Sequence, residues 1–253
     1  MKMIHPIYAY CEARSLYRYG SLLMQDFASR CGKDENGQRC RARLSARAAS
    51  LLISIQQYSE VQGMIDLSLE NARAVNDESE ESFCLNVLAK QAAVRKSSST
   101  SFEYASRALE KARRAGEKRE VVHSLYNQGY ALINLGEITR AEQALNDCRK
   151  DCDELGDWRR LSKVLNVMAD AACYRGDFDR ALEFYTESYA LAEKLENRYS
   201  QSLVLNNMGT VYFSQKNYEK AAENYKKSLE VCRDIDDREG EAISWHIAFL
   251  LGI

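Results

Sequence analysis

Apolar residues recur along this chain at the three- and four-residue spacing of an amphipathic helix, and the helical pattern itself repeats. Laid on itself with an offset of 40, residues 161–200 align with 201–240 without a gap, and 121–160 keeps the same phase. A small residue recurs at Ala49, Ala89, Gly129, Ala169 and Gly209, and a bulky apolar one at Tyr58, Ile138, Phe178 and Tyr218. Alanine recurs at Ala141, Ala181 and Ala221, with Val61 and Ser101 in the same column upstream. A further column runs Ile65, Ala105, Leu145, Tyr185, Tyr225. The spacing predicts two helices per unit, A and B, of which A spans about Leu161–Arg175 and B about Phe178–Leu195 in the unit 161–200. Gly176-Asp177 separates them: glycine accepts the left-handed cap of one helix, and aspartate accepts the orphan N–H groups of the next. Turns at Asn76-Asp77, Gly116-Glu117, Gly156-Asp157, Glu196-Asn197 and Asp236-Asp237 close successive units. Small residues at Ala169 and Ala181 let paired backbones approach, while Phe178 and Tyr185 fill the space between units. One helix pair cannot bury its apolar stripe alone, so neighbours must stack. The pattern therefore predicts an all-α chain of five 40-residue units, 41–80, 81–120, 121–160, 161–200 and 201–240.

The ends depart from the columns. Residues 1–40 are expected to form an atypical N-terminal cap, with a helical apolar pattern over 4–30 (Ile4, Ile7, Tyr8, Cys11, then Leu22, Leu23, Phe27). Cys31–Arg39, containing Asn36-Gly37, reads as a surface loop. In 81–120 the turn between helices reads as Ser97–Ser101, and Ser101 in place of alanine predicts a looser or kinked pair. Residues 241–253 read as the first helix of a further unit, leaving Trp245, Ile247, Phe249, Leu250 and Leu251 uncovered. That favours a piece of a longer protein, or else an interface through Trp245, Phe249 and Leu250 that could make a homodimer.

Composition narrows the chemistry. One proline and 12 glycines in 253 residues suit long helices with short connections. Lys+Arg of 35 against Asp+Glu of 37 gives a net charge of −2, without the basic face of a nucleic-acid binder. Arg39, Arg41, Arg43 and Arg47 are expected to be a solvated helix start. No stretch has the length of a signal peptide's apolar run or of a membrane span, so the expected location is cytoplasmic. Of the eight cysteines, most fall on apolar helix positions and are read as reduced packing residues; Cys148 and Cys152 share a helix face, a pair that could bind a metal or oxidise, but with no histidine near in sequence the packing reading is preferred. His5, His123 and His246 lie in different units, and there is no phosphate loop, HExxH or paired CxxC. No catalytic site, metal or cofactor is expected.

The columns resemble the tetratricopeptide repeat. Leu205, Gly209, Tyr212, Tyr218, Ala221 and Tyr225 follow the order of that family's signature, as do Leu165, Ala169, Phe178, Ala181 and Tyr185. The usual unit is about 34 residues; the longer form is similar to the repeats of kinesin light chains, bacterial peptide-pheromone receptors and sensor regions of bacterial signalling proteins. The likeness is strong over 121–240, fair over 41–120 and poor over 1–40, and the usual closing proline is absent. It implies a right-handed α-solenoid of stacked antiparallel helix pairs whose A helices line a concave groove. Asn86, Asn127, Asn166, Asn206 and Asn207, with Lys90, Tyr126, Tyr130, Asn134, Lys163, Asp170 and Thr210 beside them, would line it. Side-chain amides carry a donor and an acceptor and can pair with the backbone of an extended peptide; the bland role for the same asparagines is to tie neighbouring helices together. The family's carboxylate clamp is not reproduced, since Val87 and Val167 stand at inner positions. The resemblance implies a non-catalytic scaffold that binds a protein segment. Alternatives are the sensor region of a larger signalling protein with a nucleotide cyclase or transcription-regulator output, or a receptor for a short signalling peptide.

Overall fold

The computed structural model describes residues 3–235 except 15, together with 237 and 240–242. It falls into two compact units, Met1–Leu135 and Gly136–Ile253. The first holds α1 (Ile4–Ala13), α2 (Tyr17–Ser29), α3 (Glu35–Ser54), α4 (Val61–Ala74), α5 (Glu78–Val94), α6 (Ser98–Ala115) and α7 (Lys118–Asn134). The second holds α8 (Ile138–Leu155), α9 (Trp158–Arg175), α10 (Phe178–Lys194), α11 (Arg198–Ser214) and α12 (Tyr218–Asp234). The described residues contain no strand, and within each unit consecutive helices pack as pairs, so the all-α paired-helix class expected from the sequence holds.

The punctuation of the chain is its most regular feature. Left-handed backbone occurs at Gln56, Asn76, Lys96, Gly116, Gly136, Gly156, Gly176, Glu196 and Lys216, one residue in every 20. Each stands one or two residues beyond the end of a helix. The next helix then begins on an N-cap, where Asp157, Asp177, Asn197 and Asn217 accept from the N–H three residues on, at 3.0, 3.3, 3.1 and 3.2 Å. In α9 this cap lies before Trp158, three residues ahead of the expected start.

Packing in the second unit follows the columns. Ala169, Ala172, Ala181, Tyr185, Val204 and Val211 form a buried cluster, with Phe178, Leu182 and Met208 against it. Gly209 meets the ring of Tyr225 so closely that an added Cβ would lie 2.7 Å from it. Buried serines add hydrogen bonds within pairs: Ser162 to the Ser188 carbonyl at 3.1 Å, Ser188 to the Ser162 carbonyl at 2.7 Å, and Ser228 to the Ser202 carbonyl at 2.8 Å. In the first unit, Leu51, Ile53, Val61, Ile65 and Cys84 are all but inaccessible, and Met24 joins them from α2.

Several expectations are corrected. The segment read as a loop over Cys31–Arg39 is mostly helix, because α3 begins at Glu35. Asp34 caps it by accepting from the Gly37 N–H at 3.2 Å, and Gly37 serves close packing instead of a turn: a Cβ there would lie 2.2 Å from the Gly32 carbonyl oxygen. The turn of the 81–120 pair is Arg95–Ser97, with Lys96 left-handed, and Ser98–Ser101 is the first turn of α6. Nor is that pair loosened or kinked at Ser101, which is buried and donates to the facing Ala89 carbonyl at 2.9 Å. The arginine run is not a solvated helix start. Arg43 pairs with Asp77, and Arg47 pairs with Glu80 while lying 3.8 Å from the centroid of the Phe83 ring. Arg41 donates to the Cys31 carbonyl at 3.1 Å. Trp245, Ile247, Phe249, Leu250 and Leu251, the expected C-terminal interface, lie outside the described residues. Among the described residues, no helix is long and apolar enough to cross a membrane.

Candidate functional site

The candidate surface is the face of the A helices, α3, α5 and α7 in the first unit and α9 and α11 in the second. It is built differently in each.

In the first unit most of this face is spent on internal bonds. Asn86 is 5% exposed, and its amide donates to the Glu120 carboxylate at 3.1 Å. Asn127 donates in turn to the Asn86 side-chain oxygen at 3.1 Å. These two asparagines tie α5 to α7, the bland role weighed for them. Burial works to raise the Glu120 carboxyl, yet the favourable charge of His123, its hydrogen bond, and Arg47 and Asn86 hold it below the ordinary carboxylate range. Lys90 reaches back to α3, donating to Ser54 Oγ at 2.8 Å. Helix α1 lies over the same face: Tyr8 is buried, shares a 3.0 Å hydrogen bond with Ser50 Oγ, and meets Phe83 edge-on at 5.9 Å. The sequence reading placed α1 in a cap without placing Tyr8 on this face. What remains open is on α7, where Tyr130 and Asn134 are exposed and Tyr126 is half-buried. The Asn134 amide donates to the Tyr130 carbonyl at 2.9 Å.

The second unit keeps its face more open. Asn207 donates to Asn166 at 3.2 Å, joining α11 to α9, and both remain half-buried instead of enclosed. Asn206 has a side-chain oxygen shielded from solvent that finds no donor among the described residues. Lys163 and Thr210 are exposed. Two polar residues are held by tyrosines 15 positions on, in the B helix of the same pair. Tyr185 donates to the Asp170 carboxylate, and Tyr225 donates to Thr210 Oγ1 at 3.1 Å. Burial pushes the Asp170 carboxyl up to about 6 against the opposing hydrogen bond from Tyr185. Burial, with the neighbouring Asp170 charge, also pushes the Cys173 thiol up to about 11. Sequence reasoning named Asp170 and Thr210 but missed their tyrosine partners. The signal was present as a polar residue 15 before each tyrosine of the Tyr185/Tyr225 column. Tyr174, Leu203 and Phe213 on the same helices are exposed apolar surface.

The surface therefore offers amide donors and acceptors, one desolvated carboxylate, a lysine and exposed apolar side chains. Among the described residues, no three His, Cys, Asp or Glu side chains gather where a metal ion could be held.

The fold recurs in known structures. The chain is similar to aspartyl phosphate phosphatase F from Bacillus subtilis, with 12% identity and a TM-score of 0.70, covering 86% of this chain and 58% of that one. It is similar to BtubC (BKLC) from P. vanneervenii, with 16% identity, a TM-score of 0.67 and 92% of both chains covered. It is also similar to the Rap conjugation gene regulator of plasmid pLS20, solved with the Phr* peptide, with 14% identity, a TM-score of 0.72, and 85% of this chain and 60% of that one covered. The chain thus spans less than two thirds of the length of the phosphatase and of the conjugation regulator. No curated protein matches the sequence. The tetratricopeptide-repeat family model matches residues 120–194, 160–234 and 200–247, together half of the chain. With those matches laid over α7 to α12 and their recurring small, aromatic and alanine positions, the chain belongs to the tetratricopeptide-repeat family.

Proposed function

We propose that this chain is a non-catalytic interaction module of the cytoplasm that holds an extended segment of a partner against the A-helix face of its second unit. The observation that carries this reading is the composition of that face: Asn166, Asn206 and Asn207 offer amides at half-buried positions, and Asp170, Thr210 and Lys163 stand beside them. An extended peptide brings backbone N–H and C=O groups that such amides satisfy without regard to its sequence, while Asp170 and Lys163 select its charged groups. In the first unit, Tyr130 and Asn134 are the exposed residues of the set, whereas Asn86 is withdrawn into the packing.

A finer reading, a receptor for a short signalling peptide, draws support from the conjugation regulator of similar fold that is solved with the Phr* peptide. Selection from a peptide-display library on the full chain tests both. The expected result is an enriched family of peptides whose affinity falls at least tenfold (about 1.4 kcal/mol) in Asn166→Ala/Asn206→Ala. Failure to enrich any peptide, or equal affinity for the double variant, would overturn the assignment of this face. If only longer protein segments enrich, the scaffold reading stands and the signalling-peptide reading falls.

A further inference from the structure

Cys31 and Cys40 stand apart from the other cysteines in both placement and surroundings. Cys11, Cys84, Cys148, Cys152 and Cys232 are buried, whereas Cys31, Cys40 and Cys173 are partly accessible; of these three, Cys31 and Cys40 face one cavity, the Cys31 thiol donating to the Phe27 carbonyl at 3.3 Å and lying close enough to Cys40 to be perturbed by it. Both line an apolar cavity of about 190 Å³ beside Ile4 and Ile7 of α1, Phe27 of α2 and Leu44 of α3. Their proximity is built by the link between α2 and α3, which is strapped back onto the first turns of α3. Asp34 accepts from the Gly37 N–H at 3.2 Å, Gln38 donates to the Lys33 carbonyl at 3.1 Å, and Arg41 donates to the carbonyl of Cys31 itself at 3.1 Å. Gly37 lets the strap close, because any Cβ there would collide with the Gly32 carbonyl. Three hydrogen bonds thus hold the link that carries Cys31 against the first turns of α3, where Cys40 stands.

We propose that Cys31 and Cys40 are a reversible dithiol–disulfide pair that responds to low-molecular-weight disulfides of the glutathione type. The chemistry balances as two exchanges. One of the two thiols, as thiolate, attacks the small disulfide, forms a mixed disulfide and expels one small thiolate, which takes up the proton. The second thiolate then attacks the protein sulfur of the mixed disulfide, closing the Cys31–Cys40 bond and expelling the other small thiol. Two protein thiols are oxidised and one small disulfide is reduced to two thiols. In a reducing compartment a bond of this kind is transient, as befits a sensor and not a structural staple. When closed it fixes the strap to α3 beside the cavity that α1 and α2 cover. Burial and the Cys40 thiol raise the Cys31 pKa, so exchange speeds up as pH rises above neutral. Cys148 and Cys152 supply an internal control, being four residues apart on α8 and wholly buried.

The test incubates the reduced full chain with oxidised glutathione, blocks remaining thiols with an alkylating reagent under native conditions, and maps peptides by mass spectrometry without reduction. The expected product lacks two hydrogens, joins Cys31 to Cys40, and reverts fully on treatment with dithiothreitol. Cys31→Ser and Cys40→Ser should each abolish it and instead accumulate glutathione on the remaining cysteine. Gly37→Ala, which displaces the strap, should slow closure several-fold if the variant folds as judged by circular dichroism. Stable glutathione adducts on both residues of the wild type, alkylation of both with no link, or a link elsewhere would each overturn the proposal.

Discussion

Gly209→Ala is the substitution whose sign depends most directly on the packing. In an isolated helix it would stabilise, because alanine is worth roughly 0.5–1 kcal/mol over glycine at an interior position. Here the new Cβ would sit 2.7, 2.8 and 2.9 Å from three atoms of the Tyr225 ring. That ring is 3% exposed, and its hydroxyl is tied to Thr210 at 3.1 Å, so it has little freedom to slide away. Overpacking of this kind costs about 1–3 kcal/mol. The cost exceeds the propensity gain, and the expected outcome is a net loss of roughly 0.5–2 kcal/mol. Urea unfolding followed by far-ultraviolet circular dichroism reads it as a lowered midpoint. In a Tyr225→Leu background the ring is gone, and Gly209→Ala should become neutral or stabilising, a coupling that only contacting residues show. A raised midpoint for Gly209→Ala in the wild-type background would refute the close approach of α11 and α12 at this position.

The remaining predictions concern the backbone punctuation, the buried charges and pH. Lys96→Gly and Lys216→Gly, at φ values of 58° and 61°, should each stabilise by about 0.5–1 kcal/mol, and Gly176→Ala, at 77° with open space around it, should destabilise by about 1 kcal/mol. Thermal unfolding checks this, and a stabilised Gly176→Ala would contradict it. Arg47→Met should cost about 3 kcal/mol, because it leaves the buried Glu80 charge to the more distant Arg43 at 3.6 Å and the neutral Ser68 hydroxyl at 3.3 Å. An unchanged denaturation midpoint would show that pair to be idle. Asp170→Asn should stabilise in a pH-dependent way. With its carboxyl at about 6 in the fold against 3.8 unfolded, the folded state holds the proton more tightly, so the aspartate costs stability as pH rises from 4 to 6. The variant's advantage should be near zero at pH 4 and reach at most about 3 kcal/mol by pH 7; an advantage independent of pH would dismiss the desolvated carboxylate.

Much of the helix framework was legible because its determinants are local. Left-handed residues at Asn76, Gly116, Gly136, Gly156 and Gly176, and the capping Asp or Asn after several of them, are announced by residue type, whereas Gln56, Lys96, Glu196 and Lys216 take the same backbone without that signal. The columns of small and aromatic residues marked the positions that pack, but not that Gly209 receives the ring of Tyr225 within its own helix pair. The failures are tertiary. Asn36-Gly37 looks like a turn, and only the carbonyl of Gly32 packed against Gly37 makes it helix. Ser101 looks like a defect in an alanine column until the Ala89 carbonyl opposite gives it a partner. The arginines from 39 to 47 look solvated because Asp77 and Glu80, which neutralise two of them, lie more than 30 residues away. At the candidate site, the asparagine columns were visible, but a column cannot say which member is turned inward. Asn86 meets Glu120 and is enclosed, whereas Asn166 and Asn207 meet each other and stay half-buried. Tyr8, which covers the α3 and α5 face, carried no column signal because α1 follows the repeat only weakly.

Site-specific photo-cross-linking in cells tests the central claim, that the A-helix face of the second unit holds the partner. A photoreactive phenylalanine replaces Thr210 on α11 or, as control, Glu223 on α12, both exposed side chains, one on the A helix and one on the B helix of the same pair. The account predicts a discrete cross-linked product from position 210 that disappears in Asn166→Ala/Asn206→Ala, and none from position 223. A product from position 223 alone, or one from 210 that survives the asparagine substitutions, would contradict it.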